Sequence, residues 1–239
     1  MPRLKNQYFG NSITVLRWKL TESWLELLGH CMAKRMKIDS GSLPKTDKRR
    51  CEMLAERLLL SECFMSPSAV LEHDPHGAPR IALHDDVHVS ISHTRGMVLI
   101  ALSEHEPMGI DVECISERVV KLREKFVNDN ETAEISLVDA TDLTLVWTAK
   151  EAMYKLAGVP GASLRDDFTI RSMVLTKASD TLSLWGLSTA AGERHDVQIL
   201  STIDRREAIV TTLAVYAHTT AERLGWGYSF CHEEDDASQ

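Results

Sequence analysis

Residues 87–113, VHVSISHTRGMVLIALSEHEPMGIDVE, decide the fold class. From Val87 to Ser92 apolar and polar residues alternate. Val87, Val89 and Ile91 share one face; His88, Ser90 and Ser92 share the other, which is the period of a strand. His93-Thr94-Arg95-Gly96 turns the chain into Met97–Leu102, an apolar run that predicts a buried strand. Glu104-His105-Glu106-Pro107 reads as a linker, and Gly109–Glu113 as a further short strand.

Toward the N-terminus, residues 21–37 read as a helix. Thr21 or Ser23 caps it, and Trp24, Leu27, Leu28, Cys31 and Met32 recur at helical spacing. Asp47 opens a second helix after the loop Ser40–Pro44, and residues 73–79 form a turn-rich loop. Toward the C-terminus, helices are expected over 116–126, 131–139 and 142–157, with Gly158-Val159-Pro160-Gly161 as a stop. Strands are expected at about 169–176, 181–188, 197–202 and 208–216, and residues 231–239 read as an acidic, disordered tail. Helices and antiparallel-looking strands mix without strict alternation, so the predicted class is α+β.

The chain has 239 residues, 44% hydrophobic and 26% charged, which is ordinary for a globular protein. Its longest apolar run is far below the roughly 20 residues of a membrane span, and its start shows no apolar signal region. Five cysteines without a CxxC pair read as free thiols in a reducing, cytoplasmic compartment. The net charge of −8 is uneven: residues 1–107 hold 14 Lys/Arg against 13 Asp/Glu, residues 108–239 hold 13 against 22. That balance argues against a nucleic-acid binder and leaves the first half as the better place for a phosphorylated small molecule.

In the strand 109–113, Asp111 and Glu113 point the same way while Ile110 and Val112 face the core. Two carboxylates so placed suit one hard cation such as Mg²⁺; an amphipathic strand with a wet acidic face is the plainer alternative. In Trp147–Lys155 (WTAKEAMYK), Val146, Ala149, Met153, Leu156 and Ala157 form an apolar stripe, with Glu151 and Lys155 opposite it. These two make either a surface i,i+4 ion pair or a third metal-facing carboxylate with an ammonium for phosphate charge. Ser90–Thr94 offers hydroxyls, imidazole and turn amides to phosphate oxygens, or is a hydrogen-bonded turn. Lys48-Arg49-Arg50 opens a helix, where an anion would offset the cations, as would solvent. His73, His76, His84 and His88 match no zinc spacing, and GxxxxGK[ST], GxGxxG and GxSxG are absent.

The order and spacing of these elements carry more than any one of them. Gly109-Ile110-Asp111-Val112-Glu113, followed about 40 residues later by Trp147-Thr148-Ala149-Lys150-Glu151-Ala152-Met153-Tyr154-Lys155, resembles the paired signature of the 4'-phosphopantetheinyl transferases, (V/I)G(I/V)D and (F/W)(S/C/T)xKE(A/S)xxK. Every defined position matches except the first, where Met108 stands in place of Val or Ile. Ser90–Thr94, the helix from Lys48 to Leu59 and the loop Gly77-Ala78-Pro79 resemble the Sfp-type subfamily. The resemblance spans roughly residues 45–165.

It implies two similar α/β subdomains in pseudo-two-fold arrangement with the active site in the cleft between them. Residues 1–107 would grip coenzyme A, and residues 108–230 would carry the metal and catalytic groups. The implied reaction moves the phosphopantetheine arm of coenzyme A to a serine of an acyl or peptidyl carrier protein, releasing adenosine 3',5'-bisphosphate. Asp111, Glu113 and Glu151 would hold Mg²⁺, with Mn²⁺ as a substitute. Glu151 would also serve as general base, directly or through a metal-bound water, and Lys155 would stabilise or protonate the leaving phosphate. Arg50, Ser92 and His93 would grip the 3'-phosphate end. Where the family often has a basic residue this chain has Ala78, and Arg80 is the expected stand-in. The implied protein is a cytoplasmic monomer with no nucleic-acid or membrane partner. A patch at Val119, Val120, Lys121, Leu122 and Lys125 is a candidate for meeting the carrier, with a core helix face as its alternative. The competing readings are a Mg²⁺-dependent nucleotide hydrolase and a non-catalytic module that binds coenzyme A or a carrier.

Overall fold

The computed structural model describes residues 3–9, 12–39, 41, 43–75, 77–131, 139–175 and 180–217. The helix expected over 131–139 and the acidic tail at 231–239 lie outside them, apart from Glu131 and Asp139.

The first half opens with two strands, β1 (Arg3–Phe9) and β2 (Ile13–Lys19), where sequence periodicity raised no expectation. β2 is covered on both faces, so its burial does not alternate cleanly, and β1 is a mostly polar edge. Helix α1 (Trp24–Ala33) starts at Ser23, whose hydroxyl accepts from the Glu26 amide while Glu26 reaches back to the Ser23 amide. It is shorter than the 21–37 expected, because Arg35 takes a left-handed backbone (φ 58°). Helix α2 (Asp47–Cys63) is capped by Thr46. The short strands β3 (Leu71–His73) and β4 (Pro79–Ile81) pair across the predicted loop, followed by β5 (His88–Thr94) and β6 (Met97–Ser103). Strands β1, β2, β6 and β5, in that order, form an antiparallel sheet.

The second half begins with β7 (Met108–Cys114) and continues through α3 (Arg118–Leu122), α4 (Ala140–Ala157), β8 (Phe168–Leu175), β9 (Thr181–Ser188), β10 (His195–Asp204) and β11 (Ile209–Tyr216). Its antiparallel sheet runs β7-β11-β10-β9-β8, and its strands closely follow those expected from the sequence. Among the described residues the class is mixed α and β, without parallel crossovers.

Three apolar clusters bind four layers. Leu16, Trp18, Val98 and Ile100 of the first sheet pack against Leu27 of α1 and Leu54 and Leu58 of α2. Phe9, Val15, Leu99 and Ala101 of that sheet meet Ile110, Val112, Leu213 and Val215 of the second. The far side of the second sheet, with Ile170, Leu184, Ile199 and Ala214, packs on Val146, Ala149 and Met153 of α4. The apolar members of the proposed carrier patch join this third cluster: Val119 is core, and Val120 and Leu122 pack against it.

In β5 the sides are the reverse of the simple expectation. Ser90, Ser92 and Thr94 are the buried residues, and Val89 and Ile91 are only partly covered, against the helices of the first half. The hydroxyl side looks across to β7, which makes it interior.

Candidate active site

Helix α4 is set on β7 by Gly109. A Cβ there would lie 1.8 Å from the Ala152 carbonyl oxygen, so only glycine allows the contact. Asp139 caps the helix start, and Gly158 ends it in the left-handed conformation (φ 62°). Side chains of α4 thereby project over the strand that carries Asp111 and Glu113.

Asp111 is buried. Its Oδ1 accepts from Ser92 Oγ at 2.7 Å and from Lys155 Nζ at 2.8 Å, while Lys155 also donates to the Ile110 carbonyl at 2.9 Å. Its other oxygen, Oδ2, is buried with no hydrogen-bond partner among the described residues. Burial pushes the Glu113 carboxyl above its ordinary range, and the charge of Asp111 pushes the same way, against hydrogen bonds from Trp147 and Thr94. Burial raises Glu151 too. Asp111 adds to that rise, the Lys155 ammonium opposes it, and Glu113 contributes in the raising direction. The three carboxylates thus sense one another across β7 and α4. Among the described residues no three His, Cys, Asp or Glu side chains stand close enough to hold an ion as they are.

The donor chemistry nonetheless fits a hard divalent cation: oxygen ligands, one of them buried and unpartnered among the described residues, beside two carboxyls, Glu113 and Glu151, whose ionisation is resisted first by burial and then by the Asp111 charge.

Beside the carboxylates lies a cavity of about 670 Å³, within the range of small-molecule sites. Both halves line it. Arg49 and Glu56 come from α2, His73 and Ala78 from the β3–β4 hairpin, Ser90 and His93 from β5, and Tyr154 and Lys155 from the end of α4. His93 Nε2 is held by Glu56 Oε1 at 2.5 Å, which fixes the imidazole toward α2. Glu56 is itself almost fully buried.

Of the residues singled out from the sequence, the structure brings together Asp111, Glu113, Glu151, Lys155, Ser92 and His93. Ser92, however, spends its hydroxyl on Asp111 and on the Val112 amide, away from the cavity lining. Arg50 stands apart: its guanidinium lies 4.7 Å from the Trp24 ring centre and bonds Pro44 O and Asp47. Its neighbour Arg49 faces the cavity instead, bonded to Glu52. Arg80 is also absent from the lining; it pairs with Glu72 and Asp85 on the outside of the hairpin. His73 lines the cavity in that region. The signal for Arg49 was available as helix phase, since Arg49, Glu52 and Glu56 follow one another at i, i+3 and i+7 on one face of α2.

Lys150, one residue before Glu151, is fully buried. It donates to Glu131 Oε2 at 2.8 Å and to the Phe126 carbonyl at 2.5 Å, so it faces away from the carboxylate cluster.

Residues 107–212 match the family model described as the 4'-phosphopantetheinyl transferase superfamily. Over 112 residues the chain is 36% identical to a protein of Aneurinibacillus migulanus named 4'-phosphopantetheinyl transferase gsp, which covers 45% of this chain. The match takes in 46% of that relative, about half its length. The motif-bearing strand β7 and helix α4 both fall inside the stretch that is similar to the 4'-phosphopantetheinyl transferase superfamily.

Proposed function

We propose that this protein transfers the 4'-phosphopantetheine arm of coenzyme A to a serine hydroxyl of an acyl or peptidyl carrier protein, with Mg²⁺ bound by Asp111, Glu113 and Glu151. The observation that carries the proposal is that Asp111, Glu113 and Glu151 sense one another's charge across β7 and α4, with Asp111 Oδ2 unpartnered among the described residues, beside a two-sided cavity lined by Lys155 and His93. When bound, Mg²⁺ or Mn²⁺ supplies positive charge to the diphosphate.

The chain's own groups do the rest. Glu151, whose carboxyl burial raises above its ordinary range, is as a carboxylate the stronger base for the proton of the carrier serine. The serine oxygen forms the new bond to the phosphorus bearing pantetheine, and the bond from that phosphorus to the oxygen of adenosine 3',5'-bisphosphate breaks. Lys155, already at the rim, neutralises the departing phosphate. Arg49, His73 and His93 are the basic side chains lining the cavity for the nucleotide end.

The proposal includes the two halves, 1–107 and 108–230, as pseudo-two-fold subdomains. It is supported by a sheet with its helices on the outer face in each. It also includes a cytoplasmic monomer whose partners are coenzyme A and the carrier, with no nucleic acid or membrane. No described helix is long and apolar enough to cross a membrane.

Mass spectrometry of apo carrier proteins incubated with the enzyme, coenzyme A and Mg²⁺ tests the reaction. The expected result is a carrier serine heavier by one phosphopantetheine, with adenosine 3',5'-bisphosphate released in equal amount. Cleaved coenzyme A with an unmodified carrier would replace the proposal by a hydrolase, and bound but intact coenzyme A by a binding module.

A further inference from the structure

β5 is the outer strand of the first sheet and β7 the outer strand of the second. An outer strand leaves a row of N–H groups without ladder partners. Here they are closed by side chains. The amides of Ile110, Val112 and Cys114 donate to Ser90 Oγ at 3.0 Å, Ser92 Oγ at 3.2 Å and Thr94 Oγ1 at 3.2 Å. The i, i+2 spacing of hydroxyls on β5 therefore matches that of outward amides on β7, and all three hydroxyl residues are buried.

A hydroxyl that accepts still has a proton to give. Ser92 gives it to Asp111 Oδ1 at 2.7 Å, the shortest contact along this seam. Among the described residues Ser90 makes no hydrogen bond to a carboxylate. Thr94 lies 3.4 Å from both Glu113 Oε2 and Cys114 Sγ, a much weaker contact.

We infer that Ser92 is a positioning residue, which clamps Asp111 by Oδ1 so that Oδ2 is the oxygen presented to a divalent cation. Lys155 holds the same oxygen, but Lys155 also lines the cavity, and its ammonium is the group a ligand phosphate would draw away. Ser92 then remains as the hold on the carboxylate. As a neutral donor, it does so without opposing the cation's charge. The inference rests on the cation reading proposed above.

Ser90 supplies the control. S90A and S92A each strip the acceptor from one β7 amide, so their structural losses are alike; only S92A removes the clamp. S92C, close in size but with a weak S–H donor, guards against a cavity effect of alanine. Mn²⁺ binding is measured calorimetrically on the protein without coenzyme A, alongside thermal melts. Hydrogen bonds to charged groups are the strong class, so S92A and S92C should weaken Mn²⁺ about tenfold or more. S90A should stay within about twofold, with a melting loss like that of S92A. In transfer assays S92A should raise the metal requirement while KM for coenzyme A is unchanged.

Equal weakening in S90A and S92A, or Mn²⁺ bound as well by S92C as by the native protein, overturns the inference. A native protein that binds no Mn²⁺ ends both the cation reading and this one. A native protein that binds Mn²⁺ normally but leaves every carrier unmodified ends the transfer reading alone.

Discussion

Two lysines five residues apart on α4 face opposite fates. Lys150 meets Glu131 in full burial, and each polar atom of the two side chains has a partner. Glu131 Oε1 accepts from the Ile170 amide at 2.6 Å and Oε2 from the Asn128 amide at 2.8 Å, while Lys150 also serves the Phe126 carbonyl. Burial pulls the Lys150 ammonium below its ordinary range, and the Glu131 charge opposes this. Lys155 meets Asp111 at the cavity rim, where the acids around it repel one another and one buried oxygen has no partner among the described residues. A fully satisfied ion pair ties segments together and offers nothing to a ligand. An under-satisfied one has binding capacity left over. The difference teaches that the KE dipeptide of the helix divides: Lys150 is spent on a buried pair, whereas Glu151 and Lys155 stand beside a carboxylate with an oxygen unpartnered among the described residues.

The sharpest way to break this comparison is Glu151→Gln. Removing a general acid–base group typically lowers turnover by about 10²–10⁴-fold, and because Glu151 lies off the apolar stripe the variant should fold normally by circular dichroism. Normal turnover would return Glu151 to a surface role. Lys150→Ala should act in the opposite way. It strands the Glu131 carboxylate, and losing one partner of a buried pair costs about 3–5 kcal/mol. Urea unfolding should show that loss, and the molecules still folded should keep most of their turnover. Equal damage to turnover from Lys150→Ala would put Lys150 in the site after all.

Smaller effects separate the two arginines. Arg49→Ala should weaken coenzyme A binding several-fold, whereas Arg50→Ala should leave that affinity nearly unchanged and loosen the Trp24 contact, worth about 0.5–1 kcal/mol at an exposed site. Calorimetry with coenzyme A checks both. The smallest effect is a pH trend without divalent ions. A carboxyl raised in the folded state costs no stability below its ordinary value of 4.5, and costs progressively more as pH climbs through the raised value. Glu151→Gln should therefore be more stable than the native protein at pH 7.5, with the gap closing toward pH 4.5. A gap that widens on acidification would contradict the crowding of the three acids.

Much of this was legible in one dimension. The strands of the second half follow alternation and turn residues, and α4 follows its stripe, its Asp139 start and its Gly158 stop. Asp111 and Glu113 share a side because a strand repeats every two residues. What escaped was whatever depended on a partner far along the chain. β1 and β2 lack clean periodicity because one is a polar edge and the other is covered on both sides. The serines of β5 look like a wet face, yet they are interior, because the strand they face has amides to satisfy. Arg50 and Arg80 look as basic as Arg49 and His73, but local partners at Trp24, Asp47, Glu72 and Asp85 hold them elsewhere.

Local period was thus enough to find most of the elements and to set Asp111 and Glu113 on one side of a strand, since these depend on neighbours within a few residues. Which oxygen of Asp111 is left open, which arginine reaches the cavity, and which lysine is mortar were settled only when distant segments met. Burial and the completion of hydrogen bonds are properties of that meeting, and no short stretch of chain encodes them alone.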